Sequence, residues 1–105
     1  MPRAPAVFRL HRSAAAADGH TPQQREYRKW YRRLPWTDGH GGGLRGAQLA
    51  RQPLCEECLR ENRITVAATV DHRRPHRGNW DLFVDENNHC SLCAHHHGVK
   101  TANGQ

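Results

Sequence analysis

The chain has 105 residues, a formal net charge of +6, and 36% hydrophobic residues. This length allows one domain at most, and so small an apolar fraction leaves a core that is marginal without a cross-link. No apolar stretch approaches the roughly 18 residues of a membrane span and no targeting segment is visible, so we expect a cytoplasmic protein without a membrane partner. The positive charge favours a polyanionic partner, most commonly nucleic acid.

The first forty residues predict an arm, a helix and a linker. Residues 1–20 contain Ala, Arg and Pro without amphipathic order, and we expect a disordered basic arm there. Residues 21–43 open with Thr21, Pro22 and Gln24, which form a capping box with proline at the first helical position. This pattern predicts the start of a helix, and the run of glycines that follows predicts a flexible linker.

One face of the predicted helix is aromatic and much of the rest is basic. The apolar residues at helical spacing are Tyr27, Trp30, Tyr31 and Leu34. Two interpretations are open: a docking helix with a solvated basic surface, and a helix whose cations contact nucleic-acid phosphates. The candidate phosphate contacts are Arg28, Lys29, Arg32 and Arg33.

Residues 44–105 predict the ordered domain. A short helix over Leu44–Gln52 leads into a turn at Cys55–Glu61, and the β-branched run Ile64–Val70 predicts a strand. Arg73–Asn87 is expected to be a long loop with apolar side chains packed beneath it. The remaining predicted elements are a second strand around His89–Leu92 and a helix from about Ala94.

The four cysteines indicate a metal site and not two disulfides, because C-x-x-C beside Cys and His at ligand spacing is the zinc pattern. Cys55 and Cys58 form one pair of ligands. The second pair is either Cys90 with Cys93, which gives a four-cysteine ribbon, or Cys93 with His96. A closed site of either kind would be structural, and its binding free energy would help the small core to fold.

The last third of the chain contains an ordered set of polar residues. Asp71 and His72 are adjacent, Asn88 follows sixteen residues after the histidine, and His97 lies nine residues further on. With a zinc framework around this set, the chain resembles the HNH endonuclease family, in particular its small phage-type members. The resemblance covers roughly residues 44–101.

The resemblance implies a small α+β fold, a ββα-metal (His-Me) finger stapled by structural zinc and preceded by the basic amphipathic helix. In the family, the first cysteine of the second zinc knuckle stands five residues after the asparagine, which from Asn88 is Cys93. The fourth zinc ligand then falls on His96, where most relatives have cysteine. Cys90 is left as the alternative fourth ligand.

The resemblance also implies hydrolysis of DNA phosphodiester bonds with one catalytic divalent metal, Mg²⁺, Mn²⁺ or Ni²⁺. His72 would activate water, Asn88 would position the finger, and Asp71 and His97 would hold the metal. A neutral imidazole is a natural base near pH 7, and alternation along a strand puts Asp71 and His72 on opposite faces. Three arginines near the site would contact the DNA backbone: Arg73, Arg74 and Arg77.

The family resemblance also implies a biological role, and one competing hypothesis for the function is open. Members of the family are often encoded in phages beside terminase genes, so the resemblance extends to DNA packaging, a terminase partner and the host cytoplasm. The competing hypothesis is a non-catalytic zinc-ribbon module that binds nucleic acid through its basic surface. The joint presence of Asp71, His72, Asn88 and His97 favours the nuclease, because a binding module does not need that set.

Overall fold

The computed structural model describes residues 19–103, so the predicted basic arm, residues 1–20, lies almost wholly outside the described residues. Within residues 19–103 no helix is long and apolar enough to cross a membrane. The elements in chain order are α1 (Pro22–Arg28), a first 3₁₀ turn (Lys29–Arg32), α2 (Gly43–Arg51), α3 (Glu56–Arg60), β1 (Thr69–His72), α4 (Trp80–Val84), a second 3₁₀ turn (Glu86–Asn88), β2 (His89–Leu92) and α5 (Ala94–Ala102).

Helix α1 begins as its capping sequence predicts. Thr21 Oγ1 accepts a hydrogen bond from Gln24 N at 3.1 Å, and Gln24 Oε1 accepts one from Thr21 N at 2.8 Å. The α-helical part is shorter than predicted, because the chain tightens into the first 3₁₀ turn. Leu34 lies beyond that turn and is 65% exposed, so it is not part of the packed stripe. Trp30 and Tyr31 do pack against the core.

The glycine-rich segment before α2 is an ordered bend and not a free linker. Asp38 Oδ1 accepts hydrogen bonds from His40 N at 2.7 Å and Gly42 N at 2.9 Å. At Gly43 the φ angle is 80°, in the left-handed region that favours glycine, and a Cβ there would lie 2.5 Å from the Trp36 carbonyl oxygen. Glycine at position 43 therefore lets α2 begin close against the backbone of Trp36.

Strand β1 starts later than the sequence predicts. The expected strand was Ile64–Val70, whereas the observed strand is Thr69–His72. Ile64 and Val66 are 76% and 72% exposed, and Val66 forms only an isolated bridge with Leu54. β-branched residues favour a strand only where a neighbouring strand or layer covers them, and that cover is missing here. The predicted second strand and final helix coincide with β2 and α5.

The predicted loop Arg73–Asn87 contains regular structure. Asn79 Oδ1 accepts from Leu82 N at 3.2 Å and so caps the short helix α4. Asp85 caps the second 3₁₀ turn in the same way. The α4 side chain of Phe83 is fully buried, as expected for an apolar cluster beneath this segment.

The antiparallel pairing of β1 with β2 decides which side chains share a face, because directly opposed residues point to the same side. One face carries the pairs Val70–Ser91 and His72–His89, and the other carries Thr69–Leu92 and Asp71–Cys90. The first face packs on the aromatic core formed by Trp36, Val70 and Phe83. The second face meets the sulfur-rich core formed by Cys55, Cys58, Cys90, Leu92 and Cys93. Asp71 and His72 therefore lie at one end of the sheet but on opposite faces.

Candidate active site and metal centre

Three cysteines and a histidine gather where α3 meets the start of α5. They are Cys55, Cys58, Cys93 and His96, and their ligand atoms all lie within 4.8 Å of one another. His96 Nδ1 is 3.4 to 3.5 Å from the three Sγ atoms, and Cys58 Sγ is 3.9 Å from Cys93 Sγ. A tetrahedral zinc ion with Zn–S bonds of about 2.3 Å keeps its sulfur ligands about 3.8 Å apart. The donor types and their spacing therefore fit one structural zinc ion.

The fourth corner of this cluster is His96, and Cys90 is outside it. Cys90 lies on β2 opposite Asp71, and burial raises the pKa of its thiol. Cys93 directly precedes α5, and His96 is in the first turn of that helix. A backbone hydrogen bond from His96 lowers the pKa of Cys93 to about 6, which favours the thiolate that binds metal.

A carboxylate outside the cluster orients the histidine. Glu61 Oε2 lies 3.4 Å from His96 Nε2, on the side of the ring away from the sulfurs. Metal-bound histidines commonly donate their second ring N–H to a carboxylate, which fixes the tautomer. Glu61 thus directs Nδ1 of His96 towards the three cysteines.

Asp71 and His97 meet on the α5 face of the sheet. Asp71 Oδ2 is 3.8 Å from His97 Nε2 and 3.7 Å from Lys100 Nζ, while Asp71 Oδ1 accepts from His72 N at 2.8 Å. Two ligand atoms bound to one ion through bonds of about 2.1 Å lie about 3–4 Å apart. The pair therefore has the spacing and donor chemistry of a divalent-metal site.

The imidazole of His72 is buried on the opposite face, where its ring centroid lies 5.3 Å from that of Trp36 and 5.2 Å from that of Phe83. Its Nε2 donates to the Phe83 carbonyl oxygen at 3.0 Å, so the lone pair is on Nδ1. Nδ1 makes no hydrogen bond within residues 19–103. Burial is the main cause that lowers the pKa of His72, and the ring is neutral near pH 7. A neutral imidazole with a free nitrogen can accept a proton.

Asn88 ties together the segment that holds His72. Its Oδ1 accepts from Arg74 N at 2.9 Å, and its Nδ2 donates to the carbonyl oxygens of Arg74 and Leu82, each at 3.0 Å. Leu82 directly precedes Phe83, whose carbonyl holds His72 Nε2. Asn88 is buried, so these bonds are shielded from water.

A cavity of about 460 Å³ is lined by two of the groups described above, Asp71 and His72. One wall comes from α1 and the first 3₁₀ turn, and the other from the end of β1 and the segment after it. Residues that line it include Tyr27, Tyr31, Asp71, His72, His76 and Arg77. The basic helix predicted from the sequence is therefore one wall of the candidate active site.

A tyrosine and a second histidine share this cavity. Tyr31 Oη is 2.8 Å from His76 Nε2, and His76 Nδ1 accepts from Gly78 N at 3.0 Å. Burial lowers the pKa of His76 to about 4, so this ring is neutral near pH 7. Burial, followed by the charge of Asp71, raises the pKa of Tyr31, and its hydroxyl keeps its proton.

The predicted phosphate-binding arginines near the site differ in what they contact. Arg73 Nη2 is paired with Glu56 Oε1 at 2.9 Å, so its charge is already matched by a carboxylate. The Arg74 and Arg77 side chains are exposed, and Arg77 lines the cavity. The two that point to solvent are thus the better placed to meet a phosphate.

The cations of the first helical segment also differ. Lys29 pairs with Glu26 at 3.3 Å, and both side chains are more than half exposed, whereas Arg28 Nη1 lies 3.2 Å from His20 Nε2. Arg32 and Arg33 are exposed to solvent. The basic face of this wall therefore remains open to an approaching polyanion.

Comparison with protein-family models and with curated protein sequences gives no match. Among solved structures, the chain is similar to the crystal structure of an HNH endonuclease from the deep-sea thermophilic bacteriophage GVE2 with manganese ion. The TM-score is 0.66 and the sequence identity is 35%, over 77% of this chain and 84% of that chain. The chain belongs to the HNH endonuclease family. The family and the small α+β fold expected from the sequence are both confirmed.

Sequence reasoning missed several residues that shape the site of this HNH endonuclease. Trp36, which stacks on His72, lies between the predicted end of the first helix and the predicted linker, and no role was expected for it. Tyr31 belonged to the aromatic stripe, but the stripe alone could not show that one hydroxyl would end in the cavity. Glu61 carried no signal, because a carboxylate near a cysteine pair is common on protein surfaces.

Proposed function

We propose that this HNH endonuclease hydrolyses DNA phosphodiester bonds with the help of one divalent metal held by Asp71 and His97. One observation supports this most strongly. A neutral imidazole with a free Nδ1 lines the same cavity as a carboxylate that lies 3.8 Å from a second imidazole. A zinc-ribbon module that only binds nucleic acid has no need of such a set.

In the proposed reaction, Nδ1 of His72 takes a proton from a water molecule, and the water oxygen attacks the phosphorus. The P–O3′ bond breaks, which leaves 5′-phosphate and 3′-hydroxyl ends. A divalent metal would supply charge stabilisation at the phosphoryl and leaving oxygens. Asn88 is proposed as a positioning residue, because it fixes Leu82, the neighbour of the residue that holds His72 Nε2.

Two different metals are proposed for the two sites. Cys55, Cys58, Cys93 and His96 suit structural zinc, because thiolate and imidazole ligands in a closed tetrahedral set are its preference. Asp71 and His97 suit Mg²⁺, Mn²⁺ or Ni²⁺, and the similar phage GVE2 structure contains manganese.

The deciding experiment is cleavage of supercoiled plasmid by zinc-loaded protein, dialysed free of other metals, with and without added Mn²⁺ or Mg²⁺. We expect open-circular or linear DNA only when the metal is added, and the ratio of the two products distinguishes nicking from double-strand cleavage. If the protein shifts DNA in a gel but leaves it intact in every metal tested, the zinc-ribbon hypothesis replaces the nuclease.

Replacing Asp71 or His97 by alanine should weaken binding of the catalytic metal without loss of zinc, since the zinc ligands are separate residues. The loss should exceed the roughly 10–100-fold that removal of an outer-shell partner costs. Calorimetric titration of the zinc-loaded variants with Mn²⁺ measures this affinity. His95→Ala is the matched control, because His95 is an exposed α5 residue outside both sites. Unchanged Mn²⁺ affinity in Asp71→Ala would reject the ligand assignment.

DNA is proposed to bind mainly through its phosphates, at the basic face of the first helical segment beside the cavity and at Arg73, Arg74 and Arg77. Affinity should then fall steeply with salt, with a slope of log K against log[salt] of about −0.9 per phosphate neutralised. Changing the helix cations to glutamine should make the slope shallower by up to about 3.6 and weaken all DNA sequences alike. The variant combines substitutions at Arg28, Lys29, Arg32 and Arg33.

Binding isotherms across a salt series test this prediction. The control variant Arg51→Gln/Arg60→Gln also removes positive charge, but from arginines that are paired with Glu86 and Glu57 outside the cavity. We expect the control to retain nearly the wild-type slope. If the control changed the slope by half as much as the fourfold variant, in proportion to the two charges that it removes, net charge and not this helix would govern binding.

The proposed organisation has three parts. Residues 44–105 form the zinc-bound nuclease module, residues 21–43 add the helical wall of the cavity with its basic face, and residues 1–20 are a basic stretch that lies almost wholly outside the described residues. From the family resemblance we also propose a role in phage DNA packaging, with the terminase as partner and the host cytoplasm as the place of action.

A further inference from the structure

The first 3₁₀ turn places a tyrosine directly beside the proposed base. The Tyr31 ring contacts Phe83 edge-on at 5.0 Å and Trp36 at 5.3 Å between centroids, so two aromatic side chains fix its position. Its centroid is 6.1 Å from that of His72, and both side chains line the same cavity. The ring is packed while the hydroxyl end remains beside open space.

The hydrogen bonds around this hydroxyl have a defined direction. The Gly78 backbone N–H can only donate, so His76 Nδ1 is an acceptor and the proton of the neutral ring is on Nε2. That Nε2–H donates to Tyr31 Oη at 2.8 Å. The hydroxyl proton of Tyr31 is therefore not used in this bond, and it has no acceptor within residues 19–103.

The Tyr31 hydroxyl is thus a hydrogen-bond donor without an acceptor among residues 19–103, and it lies beside the proposed base, His72. A substrate atom can supply this acceptor. His72 Nδ1 is itself an acceptor and needs a water that donates to it. A non-bridging phosphate oxygen, unlike that water, can only accept a hydrogen bond, and it carries negative charge. The cavity thus presents an acceptor for the water, a neutral donor at Tyr31 and the exposed cation of Arg77.

We propose that Tyr31 is a further catalytic residue, whose hydroxyl donates a hydrogen bond to a non-bridging oxygen of the scissile phosphate. His76 is the positioning residue that holds this hydroxyl through Nε2. The inference rests on the proposed nuclease function, and it assigns part of the reaction to α1 and the turn after it. A donor set in advance where charge develops strengthens in the transition state and so acts on the rate.

The test is Tyr31→Phe, which keeps the ring contacts and removes only the hydroxyl. Single-turnover cleavage of a short duplex in Mn²⁺ should slow on the order of 10²-fold at saturating DNA, as for loss of one such donor elsewhere. The DNA concentration for half-maximal rate should change little. Tyr27→Phe is the comparison variant, because Tyr27 lines the same cavity but no hydrogen bond within residues 19–103 positions its hydroxyl, so its loss should slow cleavage less than the loss of the Tyr31 hydroxyl.

A substrate with sulfur in place of one non-bridging oxygen at the scissile phosphate tests whether the Tyr31 hydroxyl contacts that oxygen directly or affects cleavage only through the structure of the site. The penalty of Tyr31→Phe should shrink for one phosphorothioate diastereomer only, because sulfur is the poorer acceptor. Two results would overturn the catalytic role of Tyr31. One is a Tyr31→Phe rate at saturating DNA equal to that of the wild type, and the other is a loss of rate in Tyr31→Phe that is the same for both diastereomers. Wild-type cleavage beside an unaffected Tyr31→Phe variant rejects this inference alone, whereas absence of wild-type cleavage rejects the nuclease function itself.

Discussion

His72→Asn is expected to slow DNA cleavage by about 10²–10⁴-fold, the usual contribution of a positioned acid–base group. The asparagine amide cannot take a proton from water near pH 7, and the Phe83 carbonyl keeps a donor in His89 Nε2 at 2.8 Å. Zinc content and Mn²⁺ affinity should be unchanged, because the ligands of both metals are other residues. The expected defect is therefore one of rate and not of folding or metal loading.

Single-turnover rates at saturating DNA measure this effect, with metal analysis on the same samples. His40→Asn supplies the same substitution at an exposed position in the bend before α2. Cleavage by His72→Asn within about tenfold of wild type would show that another group is the base. His72→Ala is less informative, because removal of the imidazole would leave a cavity beside Trp36 and Phe83 and so also lower the stability of the protein.

Cys93→Ser should lose zinc and fail to fold, whereas Cys90→Ser should keep both zinc and fold. Structural zinc binds with an apparent free energy of about 10–16 kcal/mol near pH 7, as large as the whole stability of a small domain. Both cysteines are buried and differ by three positions, but only Cys93 belongs to the cluster of four ligands. His96→Ala should behave like Cys93→Ser.

Zinc analysis and circular dichroism on the three variants decide between the two possible fourth ligands. Retention of zinc by His96→Ala together with its loss in Cys90→Ser would establish a four-cysteine ribbon. Because that arrangement would move the second knuckle back three residues towards β2, the family spacing would then place Ala94, and not His97, at the position of the catalytic-metal histidine. A four-cysteine ribbon would therefore contradict both the assignment of His96 as a zinc ligand and that of His97 as a ligand of the catalytic metal.

Short-range patterns predicted much of the fold. The capping box of Thr21 and Gln24 located the start of α1, and strand β2 and helix α5 fall where the sequence placed them. The overall architecture was predicted from the family resemblance, and the similar solved structure confirms it. Local sequence was enough where a cap or a fixed spacing decided the conformation.

Prediction failed where a long-range contact decides the structure. Ile64 and Val66 have strand composition, but no neighbouring strand covers them. Trp36 follows a helix and precedes glycines, so only the folded chain shows it stacked on His72. The donor direction at Tyr31 depends on His76, 45 residues away, and no periodicity in the sequence encodes that pair.

The zinc cluster draws two of its ligands from residues 55–58 and two from residues 93–96, so the whole ββ part of the finger lies inside the loop that the ion would close. Closing a long loop early lowers the entropic cost of later contacts within it. Asp71 is inside that loop and His97 immediately follows it. Zinc binding would therefore favour the pairing of β1 with β2, and a chain deprived of zinc is expected to lack the sheet that carries Asp71 and His72.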